Sequence, residues 1–144
     1  MRPRLYYDTH VAANFEAWGA EPTNTAKAQS AVFAADAMAD RVFNYLHPIR
    51  PHAVGKAPSA GAYRRYLASV EPDYQIVWDS ARNLLPISVG LLPGLAWESE
   101  SADIATLAPE VIIVQLASGE KRALRAATGK VVKMWEAILR EQRL

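Results

Sequence analysis

Two side chains that could act together on RNA lie on one predicted helix. Arg41 and His47 are six residues apart. A guanidinium can stabilise the charge of a phosphorane-like transition state, and an imidazole can move the proton of a 2′-hydroxyl. The pair therefore supports one catalytic hypothesis, a metal-independent ribonuclease. In a chain with three histidines and many arginines, the same spacing also arises by chance.

A second group of residues combines aromatic rings with cations. Tyr63, Arg64, Arg65 and Tyr66 are consecutive in the sequence. Proteins that bind single-stranded nucleic acid use this mixture of stacking rings and phosphate-binding cations. The surrounding residues 47–70 include four basic residues and no acidic one, and residues 121–144 include seven basic and two acidic residues. The alternative interpretation is that the tyrosines anchor a short helix while the arginines stay in water.

Carboxylates on the long predicted helix raise the question of a metal ion. Asp36, Asp40 and His47 project from one side of that helix, and such ligands can bind a divalent cation. The same spacing is typical of the water-facing stripe of an amphipathic helix, which is the interpretation we favour. We therefore predict no metal and no cofactor.

Several functional classes are excluded by what the sequence does not contain. The chain has no cysteine, which excludes disulfides, thiolate nucleophiles and cysteine-bound zinc. No serine-hydrolase elbow, Walker loop or dinucleotide-binding glycine pattern occurs. The formal net charge of +1 predicts no overall attraction to nucleic acid or membrane. No signal peptide or membrane-spanning run is visible, so we expect a cytoplasmic protein without membrane contact.

The elements that must position these residues are mainly helices. Apolar residues recur at helical spacing over residues 8–18, 25–47, 61–70 and 73–85. Asp8 or Thr9 and Asp73 are the candidate N-caps, and the second helix begins near Asn24 or Thr25. In the second helix Asp36 and Asp40 mark the solvated side. A high density of proline and glycine makes residues 48–61 a loop within one core.

After Pro86 the pattern changes from helix to strand. Residues 111–115 and 121–124 predict a β-hairpin around Ser118 and Gly119. Ile87, Val89 and Leu91 alternate with small residues, and a turn at residues 93–94 would lead to a strand over 95–97. These short strands would extend the hairpin to a three- or four-stranded sheet. Residues 98–110 are acidic and connecting, and residues 128–143 predict a final amphipathic helix.

Together these elements predict one mainly α domain over residues 1–144. Its parts are an antiparallel helical bundle (8–86), a small β element (87–124) and a C-terminal amphipathic helix (128–143). A chain of 144 residues with 51% apolar residues can bury a substantial core.

Several segments carry a resemblance to a known family. The chain resembles HEPN-like helical bundle proteins of bacteria in three places. These are residues 35–43, the helix over residues 74–83, and the terminal hairpin and helix with residues 111–114, 118–120 and 131–136. The resemblance covers most of the chain. It implies a helical bundle that is often dimeric and often associated with RNA or nucleotides.

The resemblance also bears on catalysis. Nuclease members of the wider group use an arginine with a histidine four to six residues later, a spacing that Arg41 and His47 fit. No histidine follows Arg82 at that distance, and Leu84, Leu85 and Pro86 stand where relatives usually have a basic-histidine pair. We therefore predict a homo-oligomeric bundle that acts by binding RNA, a nucleotide or a partner protein. The alternatives are a ribonuclease using Arg41 and His47, and a structural or assembly protein.

Overall fold

The N-terminal helix begins earlier than the sequence pattern predicted. The computed structural model describes residues 1–92 and 110–144. Helix α1 (Pro3–Tyr6) continues through a π-helical segment (Tyr7–Ala12) into α2 (Ala13–Ala20). The predicted start at Asp8 or Thr9 was wrong, because Pro3 already supplies a favourable first helical residue and buries its ring.

The long helix α3 (Thr25–Leu46) is confirmed, and it forms the centre of the bundle. The Asn24 side chain accepts a hydrogen bond of 3.1 Å from the Lys27 amide and caps its start. A stripe of small and apolar side chains faces the core, including Ala28, Val32, Ala35, Ala39 and Val42. Alanine at these positions allows neighbouring helices to pack closely against α3.

A short loop with one 3₁₀ turn (Pro51–Val54) leads from α3 to two further helices. Helix α4 (Ala60–Val70) is capped by Ser59, and α5 (Asp73–Ala81) follows directly. Helix α5 ends four residues before the predicted end at residue 85, because Asn83 adopts a left-handed φ of 56°. Asp73 does not cap this helix with its side chain. Its buried carboxylate instead forms ion pairs with Arg122 and Lys130.

The β element is a three-stranded antiparallel sheet. Strands β1 (Ile87–Gly90), β2 (Val111–Gln115) and β3 (Lys121–Ala123) pair in that order, with Val89 opposite Ile112 and Ile113 opposite Ala123. This confirms the hairpin and its three-stranded extension. The predicted turn at 93–94, the strand over 95–97 and most of the acidic segment lie outside the described residues.

Helix α6 (Leu124–Glu141) is the last element in the described residues and begins directly after β3. The predicted start near Thr128, and the assignment of Leu124 to the strand, were wrong. Leu124 is buried, and its carbonyl accepts a hydrogen bond of 2.8 Å from the Thr128 hydroxyl, so the helix already exists one turn before Thr128.

Trp135 of α6 lies at the centre of the shared core. Its indole Nε1 donates a buried hydrogen bond of 2.8 Å to the carbonyl of Ala35, and its ring packs edge-on to Tyr74. Helices α3, α5 and α6 thus meet around one aromatic side chain, which confirms a mainly helical fold. No helix in residues 1–92 or 110–144 is long and apolar enough to cross a membrane.

Candidate nucleic-acid interface

A groove of about 760 Å³ runs between the N-terminal helix and α3 and ends beside α5. We call it the α3 groove. Its lining includes Tyr6, His10 and Asn14 from the N-terminal helix, Gln29, Ser30, Phe33 and Arg41 from α3, and Ser80 and Asn83 from the end of α5. Aromatic, amide, hydroxyl and cationic groups therefore face one surface.

Three side chains spaced four residues apart form the N-terminal wall of the groove. Tyr6, His10 and Asn14 follow one another at this spacing and therefore share one side of the helix. The centres of the Tyr6 and His10 rings lie 4.8 Å apart. The side-chain amide of Asn14 donates a hydrogen bond of 2.6 Å to the His10 carbonyl. His10 belongs to the π-helical segment, a rare conformation that recurs at functional sites.

Arg41 faces the groove as a cation without a neutralising partner. Its guanidinium carbon lies 4.9 Å from the centre of the Tyr6 ring, and the side chain is exposed. Arg41 takes part in no ion pair within the described residues, and no described carboxylate lines the groove. Burial raises the pKa of the Tyr6 hydroxyl; the Arg41 charge opposes that rise, and the charges of Asp40 and Asp36 add to it. The phenol thus stays neutral beside the cation.

Phe33 supplies an exposed aromatic ring on the same helix. It is 64% exposed, although most other large apolar side chains of α3 are buried. Phe33, His10 and Asn14 were not predicted as site residues from the sequence. The available signal was that Phe33 stands outside the buried stripe of α3, a position where an amphipathic helix normally carries a polar residue.

Arg64 has an internal role in this structure. Its guanidinium binds Asp36 through Nε at 2.9 Å and Asp40 through Nη1 at 3.0 Å, and its side chain is 11% exposed. The interpretation that the arginines stay in water was therefore wrong for Arg64, and the solvated stripe was wrong for Asp36, whose side chain is 14% exposed; Asp40 pairs with Arg64 but keeps 49% of its side chain exposed. Polar spacing on α3 does not reveal that a cation arrives from another helix.

Tyr74 completes this buried ion cluster. Its hydroxyl donates a hydrogen bond of 2.9 Å to Oδ1 of Asp36. Burial, reinforced by the Asp36 charge, raises the pKa of Tyr74 well above its usual range. The cluster thus joins α3, α4 and α5, and no group of three or more metal-ligating side chains occurs within the described ranges.

The other predicted nucleic-acid-binding residues differ in accessibility. Tyr63 is 1% exposed, whereas Tyr66 is 43% exposed and Arg65 is exposed. The two tyrosine rings are nearly parallel, with centres 6.4 Å apart. Tyr63 and Arg64 would have to leave their internal partners to contact a ligand, so Arg65 and Tyr66 alone offer an accessible surface here. Binding at these positions stays a prediction.

Arg41 on α3 and His47, the residue directly after that helix, face different neighbours. Six helical residues correspond to a rotation of about 600°, which leaves their side chains roughly 120° apart. His47 stacks on Phe43 with ring centres 4.7 Å apart, and its buried Nδ1 has no partner in the described part of the chain. Within this chain Arg41 and His10 instead each contact the Tyr6 ring.

The resemblance to HEPN-like bundles stays a prediction, as does the expected homo-oligomer. The groove, its charge and its exposed ring are the features from which a function can be argued. Comparison of the chain with family models, with curated proteins and with solved structures finds no match.

Proposed function

We propose that this protein binds single-stranded RNA in the α3 groove without cleaving it. One observation carries the proposal: Arg41 lies exposed on the Tyr6 ring, without an ion-pair partner among the described residues, in a groove that no described carboxylate lines. A guanidinium in this situation gains a strong, charge-assisted interaction from a phosphate.

The exposed ring of Phe33 supports a single strand as the ligand. Stacking of a base on an aromatic side chain contributes roughly 1–3 kcal/mol and requires an unpaired base. Phe33 and Arg41 are eight residues apart, about 12 Å along the helix axis. A base on Phe33 and a phosphate at Arg41 can therefore belong to one short stretch of strand.

Amide side chains at both walls support recognition of bases. Asn14 from the N-terminal helix and Asn83 from the end of α5 both line the groove. Amide groups both donate and accept hydrogen bonds, as the edges of unstacked bases require. The resemblance to HEPN-like bundles points to the same class of ligand. The separation of Arg41 from His47 around α3 favours binding over cleavage.

Fluorescence anisotropy with a labelled single-stranded RNA of mixed sequence tests the proposal. We expect Arg41→Ala and Phe33→Ala each to weaken binding by about ten-fold, the loss of one phosphate contact or one stacked base. Arg65→Ala removes an equal charge from α4 and is the matched control, with affinity within about two-fold of wild type. A large loss in Arg65→Ala, with none in Arg41→Ala, would place the interface on α4 and overturn the proposal.

Self-association is the competing explanation for an exposed Phe33. Light scattering with and without RNA separates the two explanations. A dimer that Phe33→Ala converts to monomer, together with no RNA binding by wild type, would show that the α3 groove is an assembly surface. A mass unaffected by Phe33→Ala, with RNA affinity reduced, would support the proposed function.

A further inference from the structure

A second cleft, of about 370 Å³, lies along the same two helices as the α3 groove. We call it the arginine cleft. Its lining residues include Arg2, Arg4, Leu5, Asp8, Tyr45 and Arg143. Tyr45 lies four residues after Arg41 on α3, about 6 Å along the axis, and Leu5 precedes Tyr6 on the N-terminal helix. The two elements that line the groove therefore also line the cleft.

Positive charge dominates the arginine cleft. Three arginines line it, against one acidic side chain, that of Asp8. Arg2 and Arg143 are exposed and form no ion pair in the part of the chain that the structure describes. Arg4 is half-buried, and its Nε donates a hydrogen bond of 3.2 Å to a main-chain oxygen of Leu144, the last residue of the sequence, which also lines the cleft. Arg2 and Arg143 are thus the cations of the cleft that keep their charge without an ion-pair partner among the described residues.

The backbone at Arg143 is a second, independent feature of the cleft. Arg143 has a φ of 58° just after α6, a left-handed position where helices usually place glycine. The backbone amide of Leu144 donates a hydrogen bond of 2.8 Å to the Leu139 carbonyl, which closes this turn. A non-glycine residue there costs about 1 kcal/mol, so an arginine at this position favours a role for its side chain.

The walls of the cleft identify the kind of anion that fits. Leu5 is 53% exposed and Tyr45 is 39% exposed, so apolar and aromatic surface lies beside the guanidinium groups. A phosphate ester attached to a flat organic group matches both surfaces. A terminal phosphomonoester carries between about −1.5 and −2 charges near neutral pH, whereas a phosphodiester inside a strand carries one. Several arginines favour the more highly charged group.

We infer that the arginine cleft binds the terminal phosphate of the RNA strand whose bases occupy the α3 groove. The inference rests on the proposed function, because it assigns the cleft to the same ligand. The strand would pass over the Arg41–Tyr6 contact and end between Arg2 and Arg143. The ligand class thereby narrows to single-stranded RNA with a phosphorylated end.

The test compares one RNA sequence in three forms: with a 5′-phosphate, with a 3′-phosphate and with hydroxyls at both ends. We expect one phosphorylated form to bind about ten-fold more tightly than the unphosphorylated form. The preference should fall as pH drops below about 6, where the second phosphate proton binds. The 5′ and 3′ forms show which end of the strand the cleft receives.

Variants connect the preference to the cleft. The double variant Arg2→Ala with Arg143→Ala should bind the three RNA forms with equal affinity. Its affinity for the unphosphorylated RNA should stay within about two-fold of wild type. Asp8→Asn removes the acidic side chain from the cleft and should increase the preference for phosphorylated RNA. Arg140 is an exposed arginine near the end of α6, so Arg140→Ala is the matched control and should keep the preference for phosphorylated RNA. These residues are surface positions, and circular dichroism confirms that each variant is folded.

Three outcomes would overturn the inference. Equal affinity for all three forms, with Arg41-dependent binding preserved, would remove the terminal-phosphate site and leave the proposed function standing. Binding of no RNA form would remove both. Binding of a free mononucleotide in an Arg143-dependent way, without binding of the RNA, would show that the cleft takes a small molecule instead of a strand end.

Discussion

The guanidinium of Arg41 packs on the ring of Tyr6, with 4.9 Å between its carbon and the ring centre. Stacking on a ring uses the flat face of the guanidinium and leaves the N–H groups at its edge available. The contact therefore holds the cation at the groove without consuming its hydrogen-bond donors. Arg64 differs from Arg41 in this respect, because Asp36 and Asp40 accept hydrogen bonds from its N–H groups.

The availability of the Arg41 donors predicts a specific salt dependence. Arg41→Ala should reduce the slope of log affinity against log salt concentration by about 0.7, the value for one phosphate contact on a single strand. Arg41→Lys keeps the charge and should keep the slope. RNA titrations at four or five salt concentrations measure both. An unchanged slope in Arg41→Ala would mean that Arg41 does not contact a phosphate.

The buried ion cluster predicts a large effect of Arg64 on stability. Arg64→Ala leaves Asp36, whose side chain is 14% exposed, without its cation, and should lower the free energy of unfolding by about 3–5 kcal/mol. Arg65→Ala, at the neighbouring exposed position, should stay within about 0.5 kcal/mol of wild type. Urea unfolding followed by circular dichroism provides the comparison. Equal stabilities of the two variants would contradict a structural role for Arg64.

Buried tyrosines predict how stability depends on alkaline pH. Burial raises the pKa of Tyr63 and of Tyr74 above the usual value near 10, so the folded state holds these protons more tightly than the unfolded state. Their stabilising contribution is complete below about pH 10 and decreases as pH rises above it. Absorbance of tyrosinate, recorded with circular dichroism, should show both groups ionising only as the helices melt. Tyr74→Phe should reduce the amplitude of that coupled step. Ionisation of all six tyrosines before any loss of helix would contradict the prediction.

The positions of Arg41 and His47 predict the result of a cleavage assay. We expect no metal-independent RNA cleavage by wild type, because the two side chains point about 120° apart on α3. His47→Ala should then have RNA affinity close to that of wild type. The ribonuclease hypothesis would be supported instead if wild type cleaves RNA in the presence of chelator and His47→Ala, with an unchanged circular dichroism spectrum, does not.

Sequence periodicity was sufficient to predict most of the elements. The alanine and valine stripe of α3, the β-branched run of β2 and the turn at Gly119 each depend on residues close together in the chain. Element ends were predicted less well. The start of α6 depends on whether Leu124 packs into the core, and the start of the N-terminal helix depends on burial of Tyr6 and Tyr7.

The candidate site was only partly predictable, because its residues come from distant parts of the chain. Arg41 was identified from the sequence, but with His47 as its partner in place of Tyr6. The helical spacing of α3 determined which side of that helix is buried. Only the tertiary structure decided which charged residues remain available, because an arginine 24 and 28 residues away binds Asp40 and Asp36. Local pattern encodes burial, whereas the pairing of charges depends on which helices become neighbours in space.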